Sequence, residues 1–378
     1  MHMKRIVVAS DSFKGSLTSL QVADAVDKGI RDVFPSCEVV KLNVADGGEG
    51  TMDALADTLG GRKVTAQVHD PLGRSVRARY AIIDGGSTAV LEMSAACGLT
   101  LLRPDERNPM ETSSFGAGEL IADASGKGCR RFLIGIGGSA TNDAGMGMLS
   151  ALGVRFLDAE GNVLEGVGRN MGEVADIDVG GLSPEIRESE FIIACDVDSP
   201  FCGTEGAAYV FAPQKGADAQ MVESLDRGMA HLAGVISRNI GRDISEVPGA
   251  GAAGGLGGAC LAFLNARLER GADMVLDAIG FDNIIVGADL VITGEGRIDA
   301  QTMTGKAPYV VLKRASVSGI PVVALAGSVD KEGAERMSGF RYILQVTPDN
   351  MELAEAMKSE TAAGNIRSAI SSLLETKL

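Results

Sequence analysis

Residues 289–306 read DLVITGEGRIDAQTMTGK, and they crowd two acids, two cations and three glycines into the stretch that follows a short apolar run. Glu295 and Asp299 are hard oxygen donors suited to a metal or to orienting a partner, Arg297 can clamp a carboxylate bidentately, and Lys306 can meet a phosphate. Four further segments repeat the grammar of apolar run, then acid and glycine: DSFKGS (11–16), ADGGEG (45–50), GGSATNDAGMG (137–147) and CDVDSP (195–200). Glycine lets backbone amides approach an anion, and helix N-termini favour negative charge. Five such strand ends suit a phosphate and a metal.

Each segment also has an ordinary structural explanation. Asp11, Ser12 and Lys14 can bind substrate and phosphate, or can simply start a helix whose N-cap is Ser16. Asp196 and Asp198 stand two apart, so one can face a site as proton acceptor or metal holder while the other caps a turn. Gly254 and Gly255, within PGAGAAGGLGG (248–258), can cradle a polyphosphate or allow close packing. GIGGSA (135–140) matches the dinucleotide pattern GxGxxA, with Asp158 downstream. Its continuation through Ser139, Thr141, Asn142 and Asp143 favours phosphate oxygens or hydrated Mg²⁺ over a pyrophosphate turn. Gly305-Lys306 lacks the upstream glycine and following hydroxyl residue of a P-loop.

The elements that must position these groups alternate between strand and helix at both chain ends. Strands are expected at 5–10, 38–44, 289–293, 321–326 and 341–346, and helices at 16–33, 48–59, 304–318, near 331–338 and at the C-terminus. Between them, 63–68, 75–83 and 88–93 with tight turns predict an antiparallel meander. Helices near 113–127, 142–152, 218–240 and 255–270 then accompany strands near 131–136, 191–195 and 207–211. The expected fold is α/β in two domains: a Rossmann- or flavodoxin-like parallel sheet from 1–61 and 281–378, with a mixed α/β domain, 62–280, inserted. The active site is expected in the cleft between them.

Composition narrows the function classes. At 378 residues the chain can bury a large core, and its 50 glycines cluster after strands without a collagen-like period. A formal charge of −15, with no basic cluster, argues against nucleic acid. Six scattered Cys and three His lack zinc or disulfide spacing, which points to reduced thiols and a cytoplasmic location. The uncharged stretch 247–266 holds six glycines and a proline, too polar for a membrane span.

Taken together and in order, DSFKGSL, VADGGEGT, GIGGSATNDAGMGML, CDVDSP, FAPQKGA (211–217), PGAGAAGGLGG and VITGEGRIDAQTMTGKAP resemble the type-1 glycerate kinase family over almost the whole chain. The resemblance implies phosphorylation of D-glycerate by ATP with Mg²⁺, to 2-phosphoglycerate or 3-phosphoglycerate, on a two-domain α/β fold. The chain departs from the family at Ser10, where proline is usual.

Our assignment of roles combines residues and resemblance. Lys14, Asp196 and Arg297 are the catalytic candidates. Gly137, Gly138, Ser139, Thr141, Asn142, Gly254, Gly255 and Lys306 are the nucleotide candidates, and Asp11, Ser12, Arg297 and Asp299 those for glycerate. Asp46, Asp143 and Glu295 are the Mg²⁺ candidates. An NAD-dependent hydroxy-acid dehydrogenase, resting on GIGGSA, and a non-enzymatic small-acid sensor are the alternatives. The sequence leaves open which hydroxyl reacts and whether the chain forms a homodimer.

Overall fold

A computed structural model describes residues 3–330 and 337–377. Among them the strands are, in chain order, β1 (Arg5–Ser10), β2 (Glu38–Asn43), β3 (Arg62–His69), β4 (Ser75–Ile83), β5 (Thr88–Glu92), β6 (Arg131–Gly135), β7 (Arg155–Leu157), β8 (Asp176–Asp178), β9 (Glu190–Ala194), β10 (Arg267–Glu269), β11 (Leu290–Ile298), β12 (Val322–Val329) and β13 (Tyr342–Gln345). By internal contacts the chain divides into two compact units, residues 1–46 with 272–378 and residues 47–271. The inserted unit therefore begins before the expected residue 62. The reason is local: the helix Thr51–Leu59 packs on β4 and β5, and the Met52 amide donates to Glu92 Oε1 at 2.8 Å.

The first unit is a five-stranded parallel sheet in the order β13-β12-β11-β1-β2. Ile6, Val8, Leu290, Ile292, Val323 and Leu325 are buried against the helices Ser19–Val33 and Ser359–Thr376. The first of these helices is capped by Thr18, whose hydroxyl accepts from the Gln21 amide while the Gln21 side chain accepts from the Thr18 amide; Ser16, the expected cap, belongs to the preceding turn. The chain leaves β1 outward to β2 and later returns on the other side at β11. That reversal between β1 and β11 is the switch point where parallel sheets bind ligands.

The second unit is built on a six-stranded sheet, order β10-β9-β6-β5-β4-β3. β3, β4 and β5 form the expected antiparallel meander, and β5, β6, β9 and β10 are parallel. Asp70 closes the first turn by accepting from the Leu72 and Arg74 amides, each at 2.9 Å. One expected strand is a helix instead: Ala207–Phe211 buries Ala207 and Ala208. A five-residue apolar run carries no period long enough to separate the two. The helix expected near 331–338 falls mainly outside the described residues. Among the described residues no helix is long and apolar enough to cross a membrane, and the stretch 247–266 contains the buried helix Ala252–Phe263.

Candidate active site

The carboxyl ends of the first unit's strands surround a cavity of about 610 Å³. Backbone geometry places its charged groups. Ser10, the last residue of β1, donates through Oγ to the Gly294 carbonyl at 3.0 Å, and the Asp11 amide donates to the same carbonyl at 2.9 Å. Gly294 is required there, because a Cβ would stand 2.6 Å from the Leu325 carbonyl oxygen. Ser19 holds the ends of β1 and β2 together, donating to the Ser10 carbonyl at 2.6 Å and accepting from the Val44 amide at 3.2 Å. Asp11 and Asp46 are thus brought beside Glu295.

Along β11, Glu295 and Arg297 are two residues apart and share a face. Thr302, in the turn Ala300–Thr304, donates to Glu295 Oε1 at 2.5 Å, and Lys306 Nζ lies 3.3 Å from Oε2. Arg297 is about two-thirds exposed and meets Asp299 only at 3.8 Å, so its guanidinium can turn to a ligand. Opposite, a tight turn from Phe13 to Leu17, with Gly15 at φ +78°, carries Lys14 outward, its Nζ 3.4 Å from Asp46 Oδ2. Ser12, Phe13, Lys14, Asp46, Glu295, Arg297, Asp299 and Lys306 line the cavity.

The charge distribution is uneven, with four acids (Asp11, Asp46, Glu295, Asp299) against three cations (Lys14, Arg297, Lys306). Burial, and then the Asp46 carboxylate, push the Asp11 carboxyl up to about 7, although the Ser12 amide donates to it at 2.6 Å. Burial also raises Glu295 against the opposing pull of Thr302 and Lys306. Lys14 is raised, chiefly by Asp46. A nearly buried carboxyl poised near neutrality among like charges is a common sign of a working site.

In the second unit the expected phosphate loops are largely filled. Gly254, at φ +70°, has Thr141 O only 2.1 Å from its would-be Cβ, and Gly255 is pressed against Ala144, Met229 and Phe201. Both are buried, which corrects their assignment to nucleotide contact: they allow two backbones to touch. Asp143 is also corrected. It is fully buried, and its carboxylate accepts from the Ser114 amide and hydroxyl and from the Gly145 and Gly147 amides, so its place in the structure is to organise the loop. Thr141 and Asn142 are likewise fully buried, while Gly137 and Gly138 are exposed.

Lys215 is a buried lysine beside these loops that the spacing of the sequence does not single out. Only 2% exposed, it donates to Ser139 Oγ and to the Thr141 carbonyl, both at 2.7 Å, and burial pushes its ammonium down to about 7. Ser139 therefore serves this lysine. The available signal is FAPQKGA, a lysine between Gln214 and Gly216 in an otherwise apolar segment. Asp196, exposed after β9, accepts from the amide of Gly271, the first residue of the helix Gly271–Ile279, while Asp198 pairs with Arg270 at 2.9 Å. The dinucleotide context is missing, since the helix after GIGGSA begins only at Met146.

Among the described residues no three His, Cys, Asp or Glu side chains form a ready metal cluster. Asp46 and Glu295 nonetheless suit Mg²⁺, which commonly takes one or two carboxylates and completes its shell with phosphate oxygens and water.

Comparison with known proteins bears on the family and the fold. The glycerate kinase family model matches residues 6–377. A glycerate kinase of Bacillus subtilis is 46% identical over 94% of this chain and 93% of its own length. The glycerate 2-kinase of Escherichia coli is 43% identical over the same shares. A crystal structure described as a glycerate kinase 2 of Salmonella typhimurium LT2 superposes with a TM-score of 0.91 at 41% identity, covering 99% of this chain and 98% of that one. With its switch-point cavity and a match that runs nearly end to end, this chain belongs to the glycerate kinase family.

Proposed function

We propose that the protein transfers the γ-phosphoryl group of ATP to the 2-hydroxyl of D-glycerate. The observation that carries this reading is the switch-point cavity, where Lys14, Arg297 and Lys306 stand among Asp11, Asp46 and Glu295 within one concave site. The choice of the 2-hydroxyl is supported by the name of the Escherichia coli relative, a glycerate 2-kinase.

Phosphoryl transfer asks a protein mainly to position two substrates and to neutralise charge on the group in flight. Lys14 and Lys306 supply positive charge for phosphate oxygens, and Arg297 offers its planar fork to the glycerate carboxylate, steadied by Asp299. Asp11 and Ser12 contact the glycerate hydroxyls, with Asp11 able to accept a proton near neutral pH. Asp46 and Glu295 would hold Mg²⁺, which when bound neutralises phosphate charge.

Phosphorus NMR of the protein with MgATP and D-glycerate tests the proposal. Phosphate on the secondary carbon is split by one proton into a doublet, whereas phosphate on the terminal carbon is split by two into a triplet. A glycerate-dependent doublet is expected. A triplet would move the product to 3-phosphoglycerate, and ATP left unchanged by folded protein would remove the kinase reading. Turnover should also stop when EDTA removes the divalent cation and return when Mg²⁺ is restored.

A further inference from the structure

The cavity is far larger than a three-carbon acid needs, and its volume of about 610 Å³ lies within the roughly 300–1,000 Å³ typical of sites for drug-sized ligands. It is also two-sided. One side carries the charges described above; the other is formed by Phe13, Val346, Met351, Leu353, Ala356 and Met357. Two of these apolar side chains are left strikingly uncovered for their type: Leu353 is 75% exposed and Met357 38%. The two sides are continuous, because the Met357 methyl lies 2.9 Å from where a Gly15 Cβ would stand, over the same turn that carries Lys14.

An apolar wall joined to a cationic end matches an amphiphile with a flat, weakly polar head and a polyanionic tail. A nucleoside triphosphate is that amphiphile, and methionine is well suited to cover an aromatic face because its thioether is polarizable and its chain adaptable. At the competing location Gly254 and Gly255 are buried against the 141–144 backbone and do not offer their amides to a ligand. We infer that the first unit is the nucleotide-binding unit, with the adenine of ATP lying on the wall formed by Leu353, Met357 and Val346 and the phosphates directed toward Lys14 and Lys306. This rests on the kinase reading for the identity of the nucleotide.

The test is calorimetric binding of three probes to the full chain in the presence of Mg²⁺: ADP, inorganic tripolyphosphate and D-glycerate. Leu353→Ser and Met357→Ser are expected to weaken ADP about tenfold and to leave tripolyphosphate and glycerate within twofold. Leu353 is so exposed that its replacement should not affect folding, so it carries the test alone if Met357→Ser does not fold. Unchanged ADP affinity in Leu353→Ser, an equal loss for tripolyphosphate, or a loss confined to glycerate would each overturn the assignment. Normal ADP binding that is lost on Leu353→Ser, in a protein unable to phosphorylate glycerate, would sink the proposed reaction while upholding this subsite.

Discussion

The cavity of the first unit and the glycine-rich loops of the second use the same residue types for opposite ends. In the first, Gly294 and Gly15 let strand ends and a turn approach one another so that charged side chains are left facing open space. In the second, Gly254 and Gly255 let two loops close until no space remains, and the polar residues between them, Asp143 and Lys215, spend their hydrogen-bonding capacity on the protein itself. A glycine-rich loop after a strand is therefore evidence of close approach, and at Gly254 what approaches is backbone.

The sharpest way to break this contrast is Asp196→Asn, which asks whether the second unit supplies chemistry or only scaffold. If Asp196 accepts the hydroxyl proton, kcat falls about 10²- to 10⁴-fold with an unchanged melting curve. Near wild-type turnover would leave Asp196 as the cap of the helix Gly271–Ile279.

Gly254→Ala tests the filled loop directly. Its Cβ would collide with Thr141 O and Asn142 Cα at a positive φ, so urea denaturation should show a loss of about 3 kcal/mol or more. Gly296→Ala, in the open cavity, meets nothing closer than 3.5 Å and should cost less than about 1 kcal/mol. Equal losses would erase the distinction between the two regions.

Two of the perturbed ionisable groups, Asp11 and Lys215, should respond to pH in characteristic ways. Asp11 has its carboxyl raised from 3.8 to about 7, so it costs the folded state nothing below pH 3.8, and the penalty grows until the pH passes 7. Asp11→Asn should therefore be more stable than the parent at pH 8, by up to about 4 kcal/mol, and equal to it at pH 3.5, while kcat/KM for glycerate falls. Lys215 is depressed from 10.5 to about 7. Its penalty is complete below pH 7 and vanishes as the pH climbs to 10.5, so the parent should gain on Lys215→Met across that window by about 4 kcal/mol. Melting curves between pH 6 and 10.5 check this; a constant difference would mean that Lys215 keeps its proton throughout.

Much of the fold was legible because its signals are local. In the parallel sheet β1, β2 and β11 were visible as apolar runs ending in glycine and acid and β12 and β13 from the alternation with helices, while the meander showed as three β-rich runs joined by Asp-Pro-Leu-Gly and Asp-Gly-Gly-Ser turns. The helix Ala207–Phe211 was not, because five apolar residues fit either period. The first unit's charged groups, Asp11, Lys14, Asp46, Glu295, Arg297 and Lys306, were named from their places after strands, and they line one cavity. Lys215 escaped notice because burial of a lysine depends on segments far away in the chain, Ser139 and Thr141 among them.

By itself the sequence determined the α/β class, the parallel sheet drawn from both chain ends and the family, because hydrophobic period, turn chemistry and ordered motifs are properties of the chain alone. Only the tertiary structure decided which glycines border open space and which border backbone, which acids are crowded together and which are already satisfied. Those outcomes depend on distances between residues remote in sequence, and neither packing nor desolvation acts until such residues meet.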